Sequence, residues 1–235
     1  MKMKLSVVIP CYNEEKNIPL ILNRFNEVVC RDDIEIILVN NGSNDNSGLV
    51  FDELIPKYKF AKVVTVEKNQ GYGFGILSGL KQASGEFMGW THADMQTDPN
   101  DVIKALEIIE KENCEKIFVK GNRKNRPLFD EFFTFCMGCF ETILMGKILW
   151  DINAQPNIFS RELMENWENP PFDFALDLFA LYEAKKCGYK IIRFPVVFPE
   201  RIHGVSHWNT GLLAKYKFIK RTIDFSFKLK KGLKK

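Results

Sequence analysis

The sequence predicts an α/β fold, a single domain on a mostly parallel central sheet. Three observations carry that reading. β-rich runs alternate with helical stripes through the first hundred residues, as βαβ units require. The runs are apolar almost without interruption, as in strands covered on both faces. Three of them end in polar clusters, where open parallel sheets bind their ligands.

Leu5–Pro10 is the first strand, and Asn17–Val29 follows with Ile18, Ile21, Leu22, Phe25 and Val28 on one helical stripe. Ile34–Val39 is the second strand, closed by the turn Asn40-Asn41-Gly42-Ser43, after which Asp45 or Ser47 caps a helix. Lys62–Glu67 is the third strand, Gly71–Gln82 runs from loop into helix, and Glu86–Trp90 is the fourth strand. Beyond it, Asp98 caps a helix over Asp101–Lys111, and Lys116–Lys120 is a strand. Phe129–Trp150 forms one or two apolar helices, and Phe174–Lys186 is a helix stopped at Cys187-Gly188. Lys190–Phe198 is the last strand, and a basic amphipathic helix closes the chain.

A chain of 235 residues with 46% hydrophobic and 27% charged residues buries a real core. Most of the 20 Phe follow Lys120, so the second half has a different task from the first. The six Cys are scattered and the first strand begins at once, so reduced thiols in a cytosol are expected. Cys136 and Cys139 have redox spacing but lie in an apolar helical run, and are read as a packed pair of thiols. The longest apolar stretch, Phe132–Leu149, is broken by Glu141 and Lys147 and is too polar to span a bilayer.

The net charge of +3 is unevenly spread: Lys215–Lys235 holds nine Lys and Arg against Asp224 alone, a net +8, leaving −5 for the rest. An acidic body with a basic tail predicts an anionic surface as partner. In the tail, Phe218, Ile219, Ile223, Phe225, Phe227 and Leu229 interleave with Lys and Arg, as in an interfacial segment. No recognition module supports nucleic acid as the partner.

The polar strand ends are Pro10-Cys11-Tyr12-Asn13-Glu14-Glu15, Asn40-Asn41-Gly42-Ser43 and Thr91-His92-Ala93-Asp94-Met95-Gln96. Together with Asn69-Gln-Gly-Tyr-Gly-Phe-Gly75 they resemble, in order and interval, the motifs of family 2 glycosyltransferases. The closest group in pattern is the polyprenyl-phosphate sugar transferases, that of dolichol-phosphate mannosyltransferase. The resemblance implies a GT-A Rossmann-like domain over residues 1–210, with a nucleotide-binding half (1–100), an acceptor half (101–210) and a basic tail (211–235).

Carried over position by position, the resemblance places Pro10, Tyr12 and Glu14 around the nucleotide, Tyr12 near the base and Glu14 near the ribose. Asn41, with Asn40 beside it, stands where many members have Asp contacting the base. Gly71 permits close backbone approach to the nucleotide. His92, Ala93 and Asp94 occupy the place of the family's Asp-x-Asp metal motif. Asp94 is expected to hold Mg²⁺ or Mn²⁺, with Gln96 adding an amide oxygen. His92 replaces the first Asp, and either joins the metal, bonds the sugar or a metal-bound water, or is structural.

In the acceptor half, Arg123 and Arg126 match a segment whose arginines bind acceptor or donor phosphates. Asp151 and Gln155 match the segment that closes over the donor sugar. Arg201-Ile-His-Gly-Val-Ser206 resembles the family's Arg-x-x-Gly-x-Ser motif, with Arg201 and Ser206 directed at phosphates. Asp173 and Asp177 open a helix, where acids are favourable in any case, and Asp177 matches the region of the family's general base.

The function implied is inverting, metal-dependent transfer of a sugar from a UDP or GDP sugar to a polyprenyl phosphate. It would take place at the cytoplasmic membrane face, with the protein peripherally bound or forming the soluble portion of a longer chain. A hydroxyl of a lipid-linked or surface glycan, deprotonated by Asp177, is the second acceptor reading. A nucleotide-sugar-binding protein without catalysis is the third, because His92 and Asn41 replace acids.

Overall fold

The computed structural model describes residues 2–199, 201–203 and 212–232. In chain order the elements are β1 (Leu5–Cys11), α1 (Ile18–Val28), β2 (Ile34–Asn41), α2 (Ser47–Leu54), β3 (Ala61–Val66), α3 (Tyr72–Leu80) and β4 (Phe87–Trp90). There follow α4 (Asn100–Glu112), β5 (Ile117–Lys124), α5 (Leu128–Met145), β6 (Asn157–Ser160), α6 (Arg161–Glu165), α7 (Leu176–Lys186), β7 (Lys190–Val197) and α8 (Leu212–Gly232). The strands form one sheet in the order β3-β2-β1-β4-β6-β5-β7. β6 runs antiparallel to β4 and β5, and the other paired strands are parallel.

Side-chain alternation along each strand decides which helices it meets. Leu5, Val7, Ile9, Ile36 and Leu38 pack on α1, α4 and Phe51 of α2. Val8, Ile37, Val39, Met88 and Phe118 face α3, α6 and α7. A smaller cluster of Met145, Leu149, Leu178, Leu181 and Tyr182, flanked by Phe225 and Leu229, joins α5, α7 and α8. The basic tail is thus a docked helix.

The predicted strands and helices of the first half lie within two residues of their observed bounds. Asn46, and neither Asp45 nor Ser47, is the N-cap of α2, while Asp45 Oδ1 accepts from the Ser47 backbone N–H at 3.0 Å just ahead of the helix. Asp98 does the same for Asn100 at 3.0 Å, and Gly188 ends α7 with φ +74°. Two readings need correction in the second half. The strand read as ending at Lys120 runs on to Lys124, because β7 pairs with it as far as Val197. β6 is a four-residue strand whose apolar signal, Ile158-Phe159, is too short to recognise from periodicity. Cys136 and Cys139 are exposed, so they are no packed pair: they lie on the side of α5 turned from the core.

At the α5–α8 contact Glu141 is buried, with Oε1 accepting from Ser226 Oγ at 2.6 Å and Oε2 without a partner. Burial raises its pKa from 4.5 to about 7, with the Ser226 hydrogen bond opposing. A raised carboxyl pKa means the folded protein keeps a proton that the unfolded chain has lost. Stability therefore declines as pH rises from 4.5 to about 7, by up to roughly 3 kcal/mol, and is level above. Glu141→Gln removes the slope. In urea unfolding the variant is expected to exceed the wild type near pH 8 and to match it within about 1 kcal/mol near pH 5.

Candidate active site

The parallel strands deliver their polar carboxyl ends to one rim of the sheet. β6, being antiparallel, enters from that rim, so Asn157 stands in register with both Trp90 and Lys120.

At one end of the rim, the segment after β1 is laced to the turn after β2. The backbone N–H groups of Asn13, Glu14 and Glu15 donate to Ser43 Oγ, Ser47 Oγ and Asp45 Oδ2 at 3.1, 3.0 and 3.2 Å. Tyr12 is exposed, and Asn44 Nδ2 donates to its hydroxyl at 3.3 Å. Glu14 accepts from Asn17 at 2.5 Å. Burial raises the Glu14 pKa, the Asn17 bond opposes this, and the nearby charge of Asp94 adds to it. Pro10 is half-buried within β1. Asn40 Oδ1 accepts from Ser43 N–H at 3.2 Å and so builds the turn. Asn41 is buried, with Nδ2 donating to Gly71 O at 3.0 Å and Oδ1 unpartnered. A buried acceptor left open can take an N–H from a ligand.

Gly71 has φ +120°, and a Cβ there would stand 2.3 Å from the Phe172 carbonyl oxygen. Glycine is required here because the chain's own Phe172 backbone comes so close.

Next along the rim, Arg201 gathers two predicted metal ligands. Its Nη2 lies 3.0 Å from Asp94 Oδ2, and its Nε donates to Gln96 Oε1 at 2.9 Å. Asp94 Oδ1 also accepts from Gln96 N–H at 3.1 Å, and Gln96 Nε2 is fixed on Pro199 O at 3.0 Å. A carboxylate and an amide oxygen turned to one guanidinium are hard donors already facing a cation. They fit Mg²⁺ or Mn²⁺, which take few protein oxygens and complete their shell with phosphate and water. Among the described residues no group of three or more His, Cys, Asp or Glu surrounds one point.

His92 belongs to another group. Its ring stacks on Tyr72 at 5.9 Å, and Tyr72 stacks on Phe174 at 4.7 Å. Ala93 is buried in the core, so only its backbone is left for a ligand. Ser206 lies outside the described residues.

Beneath this aromatic stack is Asp177, buried at the start of α7. Its Oδ1 accepts from Trp90 Nε1 at 3.1 Å, Gln155 Nε2 at 2.8 Å and Asn157 Nδ2 at 2.8 Å. Burial raises its pKa, opposed first by Lys120 and then by His92. Lys120, itself buried, donates to the carbonyls of Ile152 and Ala154 at 2.7 and 2.9 Å. Burial lowers its pKa, and Arg193 lowers it further. A base must expose a free lone pair to its substrate; Oδ1 of Asp177 is spent on three interior donors, and the second carboxylate oxygen takes no part in those bonds. Gln155 is buried with it.

At the far end, Arg123 and Asp151 pair with each other, through Arg123 Nε at 2.8 Å and its backbone N–H at 2.9 Å. Burial pushes the Asp151 pKa up, but the charge and hydrogen bonds of Arg123 hold it below the usual range. Arg126 donates to Thr134 at 2.9 Å. Arg193 lies over the Trp150 ring at 4.2 Å, and burial lowers its pKa to about 10, with Arg123 adding and Asp151 opposing. Burial and then Arg123 likewise lower the Arg126 pKa. Lys120, Arg123, Arg126 and Arg193 thus gather at one end of the rim, buried or part-buried, with Asp151 and Asp177 on one side and Asp130 and Glu131 near Arg126.

Tyr72, Trp90, Lys120, Asn157 and Arg193 were not read as site residues from the sequence. Lys120 and Arg193 do carry a signal, a single cation closing or interrupting an apolar strand run. The others look like ordinary core or loop residues until the strands are paired.

A profile of glycosyl transferase family 2 matches residues 6–129. The chain is 28% identical over 220 residues to a dolichol-phosphate mannosyltransferase of Pyrococcus furiosus, covering 91% of this chain and 62% of that protein. It is 33% identical over 129 residues to an undecaprenyl-phosphate 4-deoxy-4-formamido-L-arabinose transferase of Pseudomonas fluorescens, covering 53% of this chain and 37% of that one. This chain therefore spans less than two thirds of either relative. Among solved structures, glucosyl-3-phosphoglycerate synthase from Mycobacterium tuberculosis, with Mn²⁺, UDP and glucosyl-3-phosphoglycerate, superposes with a TM-score of 0.73. That match covers 98% of this chain and 80% of that one at 18% identity, and identifies the fold as GT-A.

The Arg123–Asp151 pair, with both side chains almost wholly buried, gives a test by double-mutant cycle. Arg123→Met and Asp151→Asn are each expected to destabilise by about 3–5 kcal/mol, because each leaves a buried charge unpaired. The double variant should lose clearly less than the sum in urea unfolding.

Proposed function

The chain belongs to glycosyl transferase family 2, and on that premise we propose that it moves a sugar from a nucleoside diphosphate to the phosphate of a polyprenyl phosphate. The observation that carries this reading is the cluster of Lys120, Arg123, Arg126 and Arg193 about Asp151, with Asp177 beside Lys120 and Asp130 and Glu131 near Arg126. Burial lowers the pKa of three of these cations, and an incoming phosphate dianion would favour their charged forms. The two polyprenyl-phosphate transferases among the relatives agree with an acceptor of that kind.

The donor is a UDP or GDP sugar. Its base lies at Asn41, whose open Oδ1 accepts a ring N–H, against Tyr12, with Pro10 and Asn40 shaping the wall. Glu14 lies near the ribose. Asp94 and Gln96 would hold Mg²⁺ or Mn²⁺, which would supply positive charge to stabilise the departing diphosphate. Arg201 is beside both ligands and turns to the same phosphates, with Ser206 following in the same segment. His92 is reserved for the sugar.

An acceptor phosphate oxygen attacks the anomeric carbon from the face opposite the diphosphate. The new carbon–oxygen bond forms as the old one breaks, the nucleoside diphosphate departs with the electron pair, and the anomeric centre inverts. The acceptor is already anionic, so no proton needs a base. This agrees with an Asp177 that positions Trp90, Gln155 and Asn157 and offers them its Oδ1. A hydroxyl acceptor would need Asp177 free, and is the less supported reading. Such a reaction takes place at the cytoplasmic face of the membrane that carries the lipid.

Calorimetric titration with UDP and GDP, each with Mn²⁺ or with EDTA, is expected to show metal-dependent binding of one of them, lost in Asp94→Ala. Neither nucleotide binding would refute the donor site. With undecaprenyl phosphate as acceptor, Arg126→Ala should raise KM roughly tenfold or more while leaving nucleotide affinity unchanged, as loss of a charged hydrogen bond requires. Turnover on glycan hydroxyls and none on lipid phosphate would transfer the case to the second acceptor class. Nucleotide binding without turnover on either would leave a binding protein.

A further inference from the structure

Helix α5 carries a stripe of apolar side chains that the core does not take. Leu128, Phe132, Phe135 and Ile143 recur on one side of the helix, and are 84%, 66%, 67% and 83% exposed. An apolar face of this extent left in water marks a contact surface. Helix α8 lies directly alongside, held by Ser226 on Glu141 at 2.6 Å and by Phe227 against Phe140 at 6.3 Å. It adds the exposed rings of Tyr216 and Phe227. Around those rings Lys217, Lys220, Lys228 and Lys231 are exposed, and Asp224 is the exposed acid of the helix among the described residues.

We propose that the joined outer faces of α5 and α8 dock on an anionic lipid bilayer, the α5 stripe entering the interface and the α8 lysines meeting the headgroups. Charge decides the occupant. A second copy of this chain would bring the same lysines against one another, which like-charge repulsion disfavours. A bilayer with acidic headgroups offers hydrocarbon to the rings and counter-charge to the ammonium groups in one surface. Among the described residues no helix is long and apolar enough to cross a membrane, so the docking lies on the surface. The face also orients the molecule: Arg126, just before α5, is bonded to Thr134 on that helix. Docking through α5 brings the cation cluster to the headgroup level. Its use for a lipid acceptor rests on the proposed function; the docking itself does not.

Co-sedimentation of the full chain with phosphatidylcholine vesicles, and with vesicles also containing phosphatidylglycerol, tests the surface. Binding is expected to the mixed vesicles and to weaken with salt. Phe132→Ser combined with Phe135→Ser should lower vesicle affinity at least about tenfold, because neither ring then enters the hydrocarbon, with an unchanged unfolding midpoint. Phe135→Trp should show a blue-shifted emission when the mixed vesicles are added. The proposal is overturned by an absence of binding to mixed vesicles or by unchanged affinity in the double phenylalanine variant. A dimer that this variant dissociates would overturn it equally. None of these outcomes touches nucleotide binding, which is measured without lipid.

Discussion

One carboxylate organises the middle of this molecule. Asp177 is taken out of water at the start of α7 and gathers donors from Trp90 on β4, Asn157 on β6 and Gln155 just before it. An ionised group in that position is tolerated only when its lone pairs are used and a counter-charge is near, and Lys120 supplies the charge. The same lysine fixes the backbone at Ile152 and Ala154. The hydrogen bonds of Asp177 and Lys120 thereby tie the helical layer, the antiparallel strand and the loop over the rim into a single arrangement.

On either side of that centre the rim has opposite electrostatic character. Toward β1 and β2 it is lined with carboxylates and amides, with Arg201 held between Asp94 and Gln96. Toward β5 and β7 it is lined with guanidinium groups and Lys120, and burial lowers the proton affinity of several of them. A cation with a diphosphate suits the first side and a free phosphate the second. The aromatic stack of His92, Tyr72 and Phe174 lies between them, where a sugar passing from one to the other would lie.

The helices that finish the chain are joined to this site. Arg221 of α8 lies over the Phe174 ring at 5.4 Å and near Asp173 at 3.9 Å. Asp173 in turn accepts from the N–H of Ala175, the N-cap residue of α7, at 2.9 Å. The basic helix is therefore in physical continuity with the aromatic stack, and what holds α8 in place bears on the segment that carries Phe172 and Phe174.

The alternation of strand and helix, the parallel sheet and the polar strand ends were all legible in the residues, because periodicity and turn chemistry are local properties of the chain. Asp94, Asn41, Arg123 and Arg126 were reached as candidates through the resemblance of their segments to family motifs. The partners of those residues were not legible. That Arg123 is spent on Asp151, that Gly71 meets Phe172, that Gln155 serves Asp177 and that α5 turns a phenylalanine stripe outward follow from pairings between residues far apart in the chain. β6 shows the reason most plainly. Four residues with no periodicity of their own become a strand because β4 and β5 leave a gap between them, and only that insertion sets Trp90, Asn157 and Lys120 in one row. By itself the sequence determined which elements form and which chemical groups they bring to the rim. Tertiary structure alone decided which of those groups face a ligand and which face each other, since that depends on strand order and burial, which no local pattern encodes.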